Sequence, residues 1–253
     1  MSAPARRLAE LTTEEVRALL ARPPTAALVP VGSVEPHGPH LPLGTDTLLS
    51  ETAAARACAA LAARGVEACV APSVPYGVTE FAEGFAGAVS VPADVLTAML
   101  RAIATRLLAD GWTHVCFVNN HLEPAHDAAV RASAAGLAGA SVASPLTRRW
   151  GRTLSDEFKR GDCHAGRYET SLVLAAGGRV LEEHRTLPAV GVSLADAIRA
   201  GKDRFRDIGM ARAYTGAPAE ASREEGETLY ARLVEMIVGE VGEALAGGAT
   251  GRA

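Results

Sequence analysis

Short apolar runs alternate with longer helical patterns along the chain, as in proteins whose strands and helices follow one another in turn. The apolar runs predict strands over residues 26–31, 67–74, 114–118 and 141–143. The helical patterns predict helices over residues 47–64, 92–110, 166–176 and 222–246, and one that starts near residue 124. This alternation predicts a single-domain, three-layer α/β/α fold with a mainly parallel central sheet. The domain is expected to span residues 1–253, with its core over residues 26–246.

Two of the predicted connections carry residues of interest. Residues 75–91 contain three glycines and three aromatic residues, including Tyr76, and predict a loop whose length is typical of functional loops. Asp46 stands where a proline-rich segment meets the helix over residues 47–64, so it is a candidate N-cap of that helix.

Composition narrows the class of protein. The 253 residues are 48% hydrophobic, and the formal charge of −4 comes without any block of five like charges, so binding of nucleic acid is not expected. The sequence has no stretch of about 18 apolar residues, and residues 1–13 lack the apolar run of a signal peptide. We therefore expect no membrane span and a cytoplasmic location. Three of the four cysteines lie in apolar segments and are expected to be buried thiols.

A proline-rich segment after the first predicted strand carries the first candidate ligands. Residues 30–47 read PVGSVEPHGPHLPLGTDT, and the prolines exclude an uninterrupted helix, so an extended backbone is expected. Side chains two residues apart in extended chain point the same way, which lets Glu35 and His37 face one cation-sized space. Asp46 lies near the end of this segment.

A second pair follows the strand predicted over residues 114–118. Residues 115–126 read VCFVNNHLEPAH, in which His121 and Glu123 again stand two residues apart. In open parallel sheets, sites form beyond the carboxyl ends of the strands. Both pairs would lie at such ends, so we expect them to converge with Asp46.

The five side chains together form a candidate metal site. Three carboxylates and two imidazoles are mixed nitrogen and oxygen ligands, which suit Zn²⁺ or Mn²⁺ better than Mg²⁺ or Ca²⁺. Five ligands exceed the three or so that one catalytic zinc takes from the protein, so two divalent cations are expected. Water shared by two such cations loses a proton near neutral pH, and the expected nucleophile is hydroxide.

A third segment supplies a candidate proton carrier. Residues 161–171 read GDCHAGRYETS, and His164 stands just before the helix predicted over residues 166–176. An imidazole outside the metal set has a pKa of about 6.5 and can move a proton from the nucleophile to a departing nitrogen. His164 and Glu123 are the candidate catalytic residues. Glu169 lies in the first turns of the same helix.

These motifs resemble the signature of the creatininase family. The resemblance rests on Glu-x-His-Gly-x-His-Leu-Pro-Leu followed by Thr-Asp, then His-x-Glu, then His-Ala-Gly with a downstream Glu-Thr-Ser, and it covers residues 26–176. It implies an α/β hydrolase of small amides that uses two metals, commonly zinc and manganese, and that assembles as a homohexamer. It also implies that Glu35, Asp46 and His121 hold one metal, and that His37, Asp46 and Glu123 hold the other.

The chain departs from the family pattern at several positions. Many relatives carry Gln where this chain has Pro36 and Gly where it has Asn120, whereas His121-Leu122-Glu123 is similar to the creatinine-hydrolysing branch. That branch places tryptophan over the flat substrate shortly before the catalytic histidine, and Trp150 is the candidate replacement here. His40, Glu169, Asn120, Trp150 and Tyr76 are expected to support the ligands or to touch the substrate.

The expected activity is hydrolysis of a C–N bond in a small cyclic or non-peptide amide, such as a creatinine-like compound, a lactam or a formamide. Alternatives keep the metals and hydrolyse a C–C bond of a cyclic ketone, or trim a small modified peptide, as in mycofactocin maturation. A further alternative is a family member without catalysis.

Other interpretations of single residues also stay open. Asp46 could serve as a helix cap without binding metal, and the pair Glu35 and His37 could lie on a surface turn. The helix dipole alone could favour Glu169 near a helix start. Cys163 could be a nucleophile, and His126 could lie on the surface or touch the substrate. 

Overall fold

The computed structural model describes residues 5–250, with the side chains of residues 5–247. The ends of the predicted domain, residues 1–4 and 251–253, lie outside the described residues. The described part contains four strands: β1 (Thr25–Val31), β2 (Glu67–Val70), β3 (His114–Asn119) and β4 (Ala140–Ala143). It also contains nine α-helices: α1 (Thr13–Leu20), α2 (Thr45–Ala62), α3 (Ala93–Ala109), α4 (Pro124–Ala134), α5 (Arg148–Gly151), α6 (Asp156–Arg160), α7 (Arg167–Ala176), α8 (Leu194–Arg199) and α9 (Arg223–Thr250). Short 3₁₀ turns cover Leu8–Glu10, Glu182–Thr186, Phe205–Ile208 and Pro218–Glu220.

The four strands form one sheet in the order β2-β1-β3-β4, and every pairing is parallel. Leu28 of β1 lies opposite Val70 of β2 and Cys116 of β3. All residues of β1 and β3 are buried, as expected for the central strands of a parallel sheet with helices on both faces. The predicted α/β fold with a mainly parallel sheet is therefore confirmed.

Alternate residues of the central strands face different helical layers. Leu28 and Cys116 belong to a core formed with α2, α7 and α9, whereas Val29 and Phe117 belong to a core formed with α3 and α4. This period of two follows from the pleat of a strand. A small third cluster, built around Phe205, lies apart from the sheet and includes part of the loop after β2.

Two predicted boundaries are wrong in detail. Helix α2 begins at Thr45 after Gly44, so Asp46 is not the N-cap but lies in the first helical turn. The helix thus begins two residues earlier than the apolar pattern indicates, and the Thr45 hydroxyl donates to the Pro42 carbonyl at its start. Strand β2 ends at Val70, because proline at position 72 cannot donate a ladder hydrogen bond.

The long loop predicted over residues 75–91 is present without a helix or strand in that range. The chain between β4 and α9 is built mainly of short helices and turns, apart from α7. Within the described residues, no helix combines the length and apolar character needed to cross a membrane.

Candidate metal centre

Acidic and imidazole side chains converge beyond the carboxyl ends of β1 and β3. Glu35 and His37 follow β1, Asp46 lies in the first turn of α2, and His121 follows β3. Glu169 reaches the same place from the first turn of α7. Each of these five residues is at most 2% exposed. Two neighbouring strand ends and two helix starts thus place three carboxylates and two imidazoles in one buried volume.

Two groups of three ligand atoms share Asp46. In the first group, His121 Nδ1 lies 3.3 Å from Glu35 Oε1 and 3.1 Å from Asp46 Oδ2. In the second, His37 Nε2 lies 3.2 Å from Asp46 Oδ1 and 3.6 Å from Glu169 Oε2. Within each group the ligand atoms lie within 4.8 Å of one another, so one cation could contact all three. Asp46 turns one carboxylate oxygen to each group.

Backbone carbonyls fix the orientation of three imidazoles. Since a carbonyl only accepts hydrogen bonds, His37 Nδ1–H donates to Glu35 O (3.1 Å) and His121 Nε2–H donates to Val78 O (2.7 Å). His164 Nε2–H donates to Pro36 O (3.0 Å). The other nitrogen of His37 and of His121 therefore faces the carboxylates, as in metal-bound histidines whose second nitrogen is hydrogen bonded to the protein.

Burial and neighbouring charges shift the pKa values of the cluster in opposite directions. Burial alone would lower the pKa of His37, but Asp46 and Glu169 raise it to about 10. Burial would raise the pKa of Glu35, yet the charge of His121 and the other contacts bring it down to about 2. Burial raises the pKa of Glu169 to about 8. The carboxylates thus favour positive charge on the buried imidazoles, and a divalent cation could supply such charge in their place.

Asp46 is among the described residues that have a buried oxygen without an aligned hydrogen-bond partner. Asp46 Oδ2 accepts no hydrogen bond of good geometry among the described residues, although His121 Nδ1 is only 3.1 Å away. A buried carboxylate oxygen without a donor is costly. A cation between Asp46 and His121 would satisfy both atoms, so the residues present fit a divalent metal.

His164 lies beside the cluster and outside the two groups that share Asp46. Its Nδ1 is 3.8 Å from Glu35 Oε1, and burial together with the charge of His37 lowers its pKa to about 4. The next residue, Ala165, has φ of +50° and donates its amide to Glu169 Oε2 at 2.6 Å. This left-handed turn places His164 and Glu169 on the same side of the cluster.

The structure does not bring Glu123, predicted as a ligand, into either group. Its carboxylate accepts hydrogen bonds from the backbone amides of Glu80 (3.0 Å) and Phe81 (3.3 Å). Glu123, the residue before α4, keeps an extended backbone (φ −74°, ψ 128°), and it is these two loop amides that hold its carboxylate away from the groups. Glu169 takes the third place in the second group. Burial raises the pKa of Glu123 to about 7, and its side chain lines the same pocket.

The pocket over the cluster has a largely apolar wall that sequence patterns did not predict. It encloses about 40 Å³, a narrow space directly beside the ligand atoms. Phe81 and Leu122 lie on one part of the wall, and Leu194, Ile198 and Phe205 come from the segment around α8. The last three residues stand in a region without a clear helical or strand period, so only the tertiary structure shows that they reach the site.

Two of the residues predicted to support the site do contact its framework. His40 Nε2 is hydrogen bonded to Thr170 Oγ1 in α7 at 2.9 Å. The backbone and side-chain amides of Asn120 donate to Ser50 Oγ at 3.1 and 3.2 Å, which ties the end of β3 to α2.

Trp150 and Tyr76 are not among the described residues that line the pocket, and their expected substrate contacts stay predictions. Trp150 packs beside Gly239 on α9, where its indole donates to Glu240 Oε1 at 2.6 Å. Tyr76 is 48% exposed, because it lies at the start of the loop and outside the pocket.

Burial bears on two of the alternative interpretations. His126 is fully buried, so it is not a surface residue. Burial raises the pKa of the Cys163 thiol well above its usual range, which disfavours the thiolate that a nucleophile needs. All four cysteines are buried and free, as predicted for three of them.

Fold and site together define the class: an α/β protein with a buried carboxylate and imidazole centre beyond the carboxyl ends of a parallel sheet. The sequence model of the creatininase family, described as creatinine amidohydrolase, matches residues 9–241. The chain therefore belongs to the creatininase family.

The chain is similar to three known proteins. A mycofactocin precursor peptide peptidase of Mycolicibacterium smegmatis is 33% identical over 216 residues, which cover 82% of this chain and 80% of the relative. A crystal structure of creatinine amidohydrolase (creatininase) has a TM-score of 0.71 at 24% identity and covers 95% of this chain and 98% of that chain. A mutant creatininase of the Zn-Zn type has a TM-score of 0.67 at 22% identity, covering 94% and 97%.

Proposed function

We propose that the protein is a metal-dependent hydrolase that cleaves the C–N bond of an amide in a small substrate. The observation that carries this proposal is the pair of ligand groups that share Asp46, with the free nitrogens of His37 and His121 turned toward carboxylates. Membership of the creatininase family supports a hydrolase. The small pocket above the cluster supports a substrate of limited size.

In this proposal Glu35, Asp46 and His121 hold one divalent cation, and His37, Asp46 and Glu169 hold the other. The mixed ligands favour zinc or manganese, and one solved neighbour is a mutant creatininase of the Zn-Zn type. When bound, such ions polarise a carbonyl and make water nucleophilic near neutral pH.

In this proposal His164 carries out the proton transfer. Its Nε2–H is committed to the Pro36 carbonyl, so only Nδ1 faces the cluster and is available to accept or release a proton. Packing of Phe205 against the imidazole, with ring centroids 4.5 Å apart, holds the ring in this orientation and excludes water from that side. Glu123 stays a candidate second proton carrier at the pocket wall.

A second candidate function is the trimming of a small modified peptide. The 33% identical relative is a mycofactocin precursor peptide peptidase, and it covers most of the present chain. The same carboxylates and imidazoles would serve this reaction, because a peptide bond is also an amide. Only the fit of the substrate to the apolar wall would differ.

Product analysis tests both functions. We expect the purified protein, with Zn²⁺ or Mn²⁺ added, to hydrolyse at least one member of a panel that contains creatinine, lactams, formamides and short peptides. His164→Ala is expected to lower kcat by about 10² or more, because it removes the only proposed carrier at the Glu35 side.

His114→Ala is the matched control, since His114 is also buried but lies at the start of β3, far along the strand from the site. Its activity should stay close to that of the wild type. Full turnover by His164→Ala would contradict the assigned role, and a metal-loaded protein inactive on the whole panel would contradict the proposed function.

A further inference from the structure

Residues 77–81, which we call the strap, run beside two ligands of the candidate centre and beside Glu123 of the pocket wall. Within the strap, the Val78 carbonyl accepts from His121 Nε2 at 2.7 Å. The Thr79 hydroxyl donates to Glu35 Oε2, and the amides of residues 80 and 81 donate to the Glu123 carboxylate. One short piece of loop therefore orients groups that follow both β1 and β3.

His126 anchors the strap from the opposite side. This side chain lies in α4 and is fully buried, and its Nδ1 accepts a hydrogen bond from the Val78 amide at 3.2 Å. Its ring also meets the ring of His121 edge-on, with centroids 4.6 Å apart. The strap passes so close that a Cβ at position 77 would lie 2.4 Å from His126 Nδ1, and glycine stands there.

These contacts link His126 to a proposed metal ligand through a single residue. The Val78 amide is held by His126, and the Val78 carbonyl holds His121 Nε2–H, which leaves His121 Nδ1 facing Glu35 and Asp46. An imidazole that loses its carbonyl partner can rotate or carry its proton on the other nitrogen, and either change removes the ligand atom from the site.

We infer that His126 is a positioning residue for the metal centre: through the strap it fixes the tautomer and the orientation of His121. This inference rests on the proposed function, because it concerns the metal that Glu35, Asp46 and His121 would hold. His126 itself touches neither substrate nor metal. Its effect is therefore expected in metal affinity and in the geometry of the bound ion.

The test compares two substitutions at position 126. His126→Leu fills the buried space with an apolar side chain and removes the acceptor. We expect it to weaken Zn²⁺ binding by about 10- to 100-fold, as measured in competition with a chromophoric chelator. In His126→Asn the acceptor Oδ1 is bonded to Cγ, just as Nδ1 is in histidine. This variant is therefore expected to keep most of the Zn²⁺ affinity of the wild type. The visible spectrum of the Co²⁺-loaded protein should change in His126→Leu and resemble that of the wild type in His126→Asn.

His114→Leu is the control for a merely structural effect. His114 is buried and hydrogen bonded to Ser141 Oγ at 2.8 Å, so this variant loses a comparable contact away from the strap. We expect a lower melting temperature with unchanged Zn²⁺ affinity. A folded His126→Leu protein with wild-type affinity and spectrum would overturn the inference, as would equal losses of affinity in His126→Leu and His126→Asn.

If His126→Leu does not fold, His126→Gln replaces it in the comparison. Glutamine moves the acceptor one bond away from the Nδ1 position, so its Zn²⁺ affinity must fall below that of His126→Asn, and equal affinities would overturn the inference. A wild-type protein that binds no Zn²⁺ would instead overturn the proposed function, which keeps the two failures distinct.

Discussion

Buried histidines in this chain differ in charge because their neighbours differ. His37 is surrounded by carboxylates, which raise its pKa to about 10 despite burial. His114 is equally buried, but burial acts on it without such partners and lowers its pKa to about 4. The first histidine favours a positive neighbour in exchange for its proton, whereas the second stays neutral in the folded protein at ordinary pH.

His114 should therefore make folding sensitive to mild acid. The unfolded chain takes up this proton below a pH of about 6.5, whereas the folded chain does so only below about 4, so the free energy of unfolding falls across that window. The loss from His114 alone is at most about 3 kcal/mol. We expect His114→Gln, which cannot titrate, to show a smaller loss between pH 7 and 4.5 in urea unfolding.

Other groups that titrate in this window are common to both proteins and cancel in the difference between their pH profiles. The amide of glutamine can keep the hydrogen bond to Ser141, so the two proteins should differ little at pH 7. Parallel profiles for the wild type and His114→Gln would contradict this account of His114.

Among the elements, α7 depends on a neighbour for its N-terminal cap. Its N-cap residue is Gly166, which offers no side chain to the free amides. Glu157 of α6 supplies the missing acceptor: its carboxylate is 2% exposed and accepts from the amides of Tyr168 (2.9 Å) and Ala217 (2.9 Å). The helix that carries Glu169 is thus fixed at its start by a carboxylate from another element.

Glu157→Gln should destabilise the protein by about 1 to 2 kcal/mol, as the loss of a helix cap or of a buried charged acceptor does. The side-chain NH₂ of glutamine would then face one of the two backbone N–H groups, and two donors cannot form a hydrogen bond with each other. Thermal and urea unfolding measure the change. Glu220→Gln is the control, because Glu220 forms only an exposed ion pair with Arg167 and should change stability by less than about 0.5 kcal/mol. Equal stability of the wild type and Glu157→Gln would contradict the capping role.

The elements also show which parts of the site could be predicted. The spacing of Glu35 and His37 was enough to predict that they lie together, because both follow a strand. Their closeness to His121 was predictable because β1 and β3 end at the same edge of the sheet. Glu123 has the same spacing from His121, but the amides of the strap hold its carboxylate. Its place in the second group is taken by Glu169, which is remote in sequence.

For the whole molecule, the fold was easier to predict than the pocket. Alternating apolar runs determine the parallel sheet, because each strand must bury both faces under helices. The wall around Phe205 belongs to a separate apolar cluster whose members come from the loop after β2 and from the segment around α8. These segments lack a regular period, so their contact over the site depends on tertiary packing that no local pattern reports. The homohexamer expected from the family resemblance and the single domain over residues 1–253 stay predictions.

The central claim concerns the whole cluster: two groups of ligands that share Asp46 hold two divalent cations. Elemental analysis of protein that has been reconstituted with Zn²⁺ and then dialysed tests it most directly. We predict about two zinc ions per chain for the wild type and about one for Glu169→Gln, which removes a charged ligand from the second group only. Glu51→Gln, a change to a half-buried carboxylate on the same helix as Asp46, should keep both. About one zinc ion or fewer per wild-type chain would contradict the account.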